Sequence, residues 1–237
     1  MSQGKRVRAA IFDMDGLLID SEPLWKQAER RIYETVDVFV DDDFLRQTEG
    51  LRLAESIQLV NSLRPFSTKT NEQLSDEITG AMCDMILTKG EALPGVYEAL
   101  DFFKSRNIPV ALASSSAHQL ISIVMRKLSL EKYFSVISSG EHEPFGKPHP
   151  QIFISTAQDL QVDPTDCVVF EDSINGVLAA KAARMFCIAV PDRHGYEDSR
   201  LAIADVKLRS LEDFNEELLL RHRTLEPRNA GETKEMD

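Results

Sequence analysis

Basic residues are scarce in this chain. Its 237 residues hold 27 Lys and Arg against 39 Asp and Glu, a formal net charge of -12. Affinity for DNA or RNA comes mainly from cationic side chains that neutralise backbone phosphates, so nucleic acid is not an expected partner. A small phosphate ester still fits, because a few local cations and a metal reverse the field inside a cleft. Cysteine is scarce too, and Cys83, Cys167 and Cys187 have no pair-like spacing. Cys167 and Cys187 sit in apolar runs and read as small buried hydrophobes, so a reducing compartment is expected rather than a disulfide framework. No run approaches the roughly 18 apolar residues that a membrane span needs. The N-terminal MSQGKRVRAAIFDMDG has neither a long apolar stretch nor a cleavage signal. The expectation is a soluble cytoplasmic protein with no membrane partner.

What is present is a globular composition, 43% hydrophobic and 28% charged, suited to one α/β domain or a core with a smaller insert. Short apolar runs recur at Val7–Phe12, Val110–Ala113, Val136–Ser138, Cys167–Phe170 and Cys187–Val190. Each is continuously apolar, as a parallel strand covered on both faces should be. Helical patterns separate them over Val96–Arg106, Leu120–Leu130 and the Ala-rich Ile174–Met185. Alternating strand and helix predict an α/β fold, a doubly wound, Rossmann-like parallel sheet. Between Ser21 and about Glu91 the rhythm breaks into helices alone, Glu22–Val36, Ala54–Leu63 and Asn71–Thr88. This predicts a core of residues 1–20 and 92–225, an inserted all-helical cap over 21–91, and a frayed polar tail over 226–237.

Four motifs carry candidate chemistry. Asp13-Met14-Asp15-Gly16 follows the first strand. Carboxylates two residues apart in extended chain leave on one side, at the strand end where open α/β sheets bind ligands. They suggest a Mg²⁺ site with a reactive carboxylate; the plainer reading is a solvated acidic turn. Glu171-Asp172 follows another core strand, and either shares that metal or leaves Asp172 or Ser173 as a simple helix N-cap. Ser114-Ser115-Ser116 leads from a strand into a helix, where hydroxyls and free N–H groups make a phosphate cradle, a capping run, or both. Lys147 in FGKPHP is a cation whose exit is restricted by the following proline, or else an ordinary surface charge.

Taken in this order, DMDG, Ser114, Lys147-Pro148 and Glu171-Asp172 resemble the haloacid dehalogenase superfamily across nearly the whole chain. The insert directly after the first motif resembles the branch with a four-helix cap, and GLLIDSEPLW and FGKPHPQIF are similar to its hexose- and hexitol-phosphate phosphatases. The resemblance implies a phosphatase acting on small phosphorylated metabolites. Asp13 would be the nucleophile and Asp15 the acid and base. Mg²⁺ would be held by Asp13, the Asp15 carbonyl and Asp172, with Glu171 on a metal-bound water. Ser114 and the Ser115 N–H would bind phosphate oxygens, and Lys147 would offset charge. Arg52 lies where related caps send a specificity loop, or pairs with Glu49 or Glu55. His118 either faces substrate or is incidental. Trp25 packs in the cap or lines the cleft. Asp15 separates the chain from dehalogenases, and the context of Lys26 from phosphonatases. Trp25 stands where the mutase branch has a cap histidine, which favours hydrolysis. A β-phosphoglucomutase-like isomerase and a non-catalytic sugar-phosphate sensor remain alternatives. A monomer is the default.

Overall fold

The computed structural model describes residues 6–227. Most of the expected tail, residues 228–237, lies outside them. The central sheet is parallel and contains β2 (Ala9–Phe12), β3 (Val110–Ser114), β4 (Phe134–Ser139), β5 (Cys167–Glu171), β6 (Phe186–Ala189) and β7 (Val206–Lys207), in the order β4-β3-β2-β5-β6-β7. Chain order reverses on either side of β2, so the carboxyl end of β2 lies at the topological switch point where such sheets bind ligands. A two-stranded parallel pair, β1 (Arg6–Val7) with β8 (Thr224–Leu225), stands beside it.

The expected single strand Val7–Phe12 is thus two. Arg8 interrupts it and donates its backbone N–H to Asp166 O, so β1 turns away to pair with β8. The tie continues past β8, where Glu226 donates its N–H to Val7 O and pairs its carboxylate with Arg6.

Residues along the strands alternate between two cores, as the period of two requires. Ala10, Phe12, Leu112, Val168, Phe170 and Ile188 face α5 (Val96–Ser105) and α6 (His118–Lys127). Ala9, Ile11, Ala111, Val169 and Cys187 face α7 (Gln151–Asp159) and α8 (Ile174–Ala182). β4 departs from the expectation of double coverage: it is the sheet edge, its burial alternates, and Ile137 is exposed. A short α9 (Glu216–Leu220) precedes β8.

Between β2 and β3 the chain forms α1 (Glu22–Glu34), α2 (Asp42–Leu45), α3 (Leu53–Leu63) and α4 (Asn71–Lys89), an inserted helical cap. α1 packs against α4 through Ala28, Ile32, Ile78 and Met82, all buried in one apolar cluster. Thr70 caps α4 with a reciprocal box, its hydroxyl accepting from Gln73 N while the Gln73 side chain accepts from Thr70 N. No helix of the described residues is long and apolar enough to cross a membrane.

Candidate active site

The site begins with two phenylalanines. Phe12 and Phe170 are register partners on β2 and β5, and their rings stack with centroids 4.4 Å apart. Asp13 and Glu171 are the next residues, and Asp13 donates its N–H to Phe170 O at 3.0 Å. The buried stack therefore aligns the two acidic strand ends. Carboxylate oxygens of Asp13, Glu171 and Asp172 all lie within 4.8 Å of one another. The chain can turn between Asp15 and α1 because Gly16 adopts φ 68°, and a Cβ there would sit 2.2 Å from Asp172 Oδ2.

Lys147 enters this acidic group from the loop before α7. Its Nζ donates to Asp13 Oδ1 at 2.7 Å, Glu171 Oε1 at 2.6 Å and Ala113 O at 3.1 Å. Burial alone would lower the ammonium pKa, but the Asp13 and Glu171 charges outweigh it and hold Lys147 above its usual range. The second Glu171 oxygen accepts from Ser173 N and Ser173 Oγ. Glu171 is thus fully buried with both oxygens engaged by protein donors. Burial pushes Asp13 up to about 7, with Glu171 and Asp15 adding repulsion and Lys147 opposing it. Burial, then Glu171 and Asp13, push Asp172 well up. Three carboxylates facing one ammonium leave two negative charges without a partner. This donor set fits a hard divalent cation, which favours carboxylate oxygen.

Asp15 is oriented by three side chains. Ser21 Oγ donates to Oδ1 at 2.7 Å, Trp25 Nε1 to Oδ1 at 2.9 Å, and Ser116 Oγ to Oδ2 at 2.7 Å. The serine run divides its tasks. Ser114 Oγ accepts from Ser116 N, and Ser115 Oγ donates to Gly50 O of the cap at 2.9 Å. Asp13, Asp15, Ser114, Ser115, Lys147, Asp172 and Arg52 line one cleft of about 450 Å³ between sheet and cap.

Arg52 lines that cleft at its rim, and its head group serves the cap–core contact. Nη1 donates to Gly140 O at 3.3 Å and Glu143 O at 2.7 Å, while Nη2 meets Glu55 at 2.5 Å. The Glu55 pairing expected as the plainer alternative is present. His118 is not brought in with the others. It is exposed outside the lining, its backbone N–H goes to Glu141, and its ring lies 6.0 Å from that of His142. Sequence reasoning did not single out Ser21 or Ser116 as partners of Asp15, nor Glu29 in the cleft wall. Serines just ahead of a helix, as Ser21 and Ser116 are, read as ordinary capping residues, and a glutamate in mid-helix, as Glu29 is, reads as a solvated side chain until the fold assembles them.

An α/β core with an inserted helical cap, and acidic strand ends gathered at the switch point, defines a Rossmann-like hydrolase. A family model for haloacid dehalogenase-like hydrolases matches residues 7–184, and the chain belongs to that family. It is 38% identical over 221 residues to hexitol phosphatase B of Escherichia coli strain K12, covering 93% of this chain and 100% of the relative. It is also 38% identical over 184 residues to a phosphorylated carbohydrates phosphatase of Thermotoga maritima, covering 75% and 82%. A crystal structure of β-phosphoglucomutase from Clostridium difficile superposes with a TM-score of 0.81 at 25% identity, covering 91% of this chain and 96% of that one. These matches define a phosphoric monoester hydrolase.

Proposed function

We propose that the protein is a Mg²⁺-dependent phosphatase that cleaves small sugar or sugar-alcohol phosphates through an aspartyl-phosphate on Asp13. The observation that carries this reading is the meeting of Asp13, Asp172 and Glu171 within 4.8 Å around Lys147, with Asp15 facing the same cleft. Asp13, Asp172 and the Asp15 carbonyl would hold the cation. When bound, it supplies charge neutralisation for the transferring phosphoryl group.

Lys147 occupies Asp13 Oδ1, so nucleophilic attack falls to the other carboxylate oxygen. Glu171 holds Lys147 in place from behind. Asp15, fixed by its three donors, gives a proton to the leaving alcohol and later takes one from the water that opens the acyl phosphate. Ser114 and the N–H of Ser115 receive phosphoryl oxygens. Residues 21–91 act as a cap over a core of 1–20 and 92–225, excluding water during transfer. In the cap loop, Ser115 meets Gly50 O and Asn175 meets Glu49 O at 2.8 Å, contacts that support a closed arrangement. We infer a cytoplasmic monomer.

Incubating the purified protein with a phosphometabolite panel, with Mg²⁺ and with EDTA, tests this reading. Metal-dependent release of inorganic phosphate is expected, and loss of at least ~10³-fold in Asp13→Asn. If Asp13→Asn releases phosphate as fast as the parent, the covalent route is wrong. Conversion of a hexose 1-phosphate to the 6-phosphate without net phosphate release would make the protein a mutase.

A further inference from the structure

The far wall of the cleft holds polar groups that the proposed chemistry does not use. Glu29 and Tyr33 are one turn apart on α1, so their side chains share a face. Both are buried, Tyr33 completely and Glu29 to 6% exposure, yet Glu29 lines the cleft. Ser56, at 3% exposure on α3, lines the cleft with Glu29. Tyr33 Oη and Ser56 Oγ are buried and make no hydrogen bond of full geometry, although the Ser56 hydroxyl stands close enough to Glu29 and Tyr33 to act on both. Hydroxyls left unpaired in an apolar setting cost stability unless something fills them. Thr48, Ser75 and Thr79 also line the cleft, together with Leu45, Leu53 and Gln58, and Lys26 is already shared between Glu22 and Glu49. Arg52 lines the same cleft, but its two terminal nitrogens are taken by Gly140 O, Glu143 O and Glu55, and only its buried Nε is without a partner.

We propose that Glu29 and Ser56, with Tyr33 buried against them as a positioning residue, form a subsite that reads the far hydroxyls of a neutral, polyhydroxylated leaving group and disfavours leaving groups carrying a second phosphate or a carboxylate. This rests on the phosphatase reading above and goes beyond it by assigning the selecting residues. A polyol offers both donors and acceptors. Ser56 can supply either, and a buried carboxyl can accept from one hydroxyl or donate to another. Burial, with the Glu49 charge adding to it, pushes Glu29 up to about 7, so near neutrality it presents a neutral carboxyl as readily as a carboxylate. An anionic end group would crowd Glu22, Glu29 and Glu49, whose nearby ammonium, Lys26, is already paired with two of them, and such crowding is a source of specificity.

The test compares kcat/KM for a hexitol 6-phosphate, the matching hexitol 1,6-bisphosphate and p-nitrophenyl phosphate, in the parent and in Glu29→Leu, Glu29→Gln and Ser56→Ala. The parent is expected to favour the monophosphate over the bisphosphate by 100-fold or more. Glu29→Leu should lower the ratio of hexitol phosphate to p-nitrophenyl phosphate at least tenfold, mainly through KM, and Glu29→Gln should restore most of it. Ser56→Ala, which removes one oxygen, should lower the same ratio three- to tenfold, and it carries the test if Glu29→Leu does not fold. Equal losses on all substrates, or no change in the ratios, overturn the subsite. Calorimetric titration of the hexitol phosphate into Asp13→Asn with Mg²⁺ keeps the two readings apart. Binding that is weakened by adding Glu29→Leu upholds the subsite even where the parent releases no phosphate, and binding indifferent to Glu29 removes it even where hydrolysis is fast.

Discussion

Lys147 carries its charge where water scarcely reaches, at 2% exposure between two carboxylates. Breaking a buried pair from one side leaves uncompensated charge, which costs more than the pair itself contributes. Lys147→Met should therefore lower unfolding stability by about 3 kcal/mol or more in urea titrations as well as stop turnover. A surface lysine in a Pro-rich loop would lose almost nothing. Trp25 gives a finer test. Its indole N–H is one of three donors to Asp15, and it is the one that comes from the cap helix. Trp25→Phe keeps the ring and drops the donor. With a hydrogen bond to a charged group worth about 1.5–3 kcal/mol, kcat should fall by roughly tenfold or more, with KM little changed. If KM rises while kcat stays, Trp25 only lines the cleft.

At the scale of elements, α8 shows how a helix can serve a site it does not touch. Gly176 lies in its first turn, and a Cβ there would lie 1.7 Å from Glu171 Oε1. Replacing helical glycine by alanine ordinarily stabilises by about 1 kcal/mol. Here Gly176→Ala must displace Glu171 and with it the anchor of Lys147, so a loss on the order of 2 kcal/mol and slowed phosphate release are expected. Gly80, inside α4 with nothing within 4 Å of its would-be Cβ, is the counterpart. Gly80→Ala should stabilise by roughly 0.5–1 kcal/mol without altering turnover. Thermal melts of the two variants side by side check both signs. The cap loop is a second such element. Gly50 at φ 78° lets the backbone pass so close to α8 that a Cβ would meet Ser173 Oγ at 2.4 Å, and this close approach brings Gly50 O to Ser115.

Stability of the whole molecule should depend on pH through Glu29. Its folded pKa, pushed up to about 7 by burial, stands above its ordinary value of 4.5. A raised acid favours the folded state only while protonated. Its contribution is complete below about 4.5, fades as pH rises to about 7, and is gone above. Glu29→Gln removes this dependence. Denaturant titrations should find the variant near the parent at pH 5 and more stable at pH 8, by up to about 3 kcal/mol. A constant difference across that range would mean that Glu29 is not buried in the way described. The same group thus links cap stability to the hydroxyl-reading wall.

Much of this molecule was legible in its residue order. Continuous apolar runs announced buried parallel strands, and their alternation with helical stripes implied the doubly wound sheet, because a strand apolar on both sides needs cover on both faces. Asp13, Asp15 and Asp172 stood out because charge next to such a strand is costly unless it has work to do, and Lys147 because the proline after it restricts where it emerges. What remained hidden depended on distance in space. Nothing local marks Arg8 as a break between two strands, Ser116 as a partner of Asp15, or Glu171 as a holder of Lys147, since each of these contacts joins segments far apart in the chain. The placement of Arg52 on backbone carbonyls and of His118 in solvent likewise followed from how cap and core meet. Residue order alone determined which segments had to be buried and which charges had to gather. Only the tertiary structure decided which oxygen each donor reaches, because that is set by packing of the Phe12–Phe170 stack and the cap helices rather than by any periodicity.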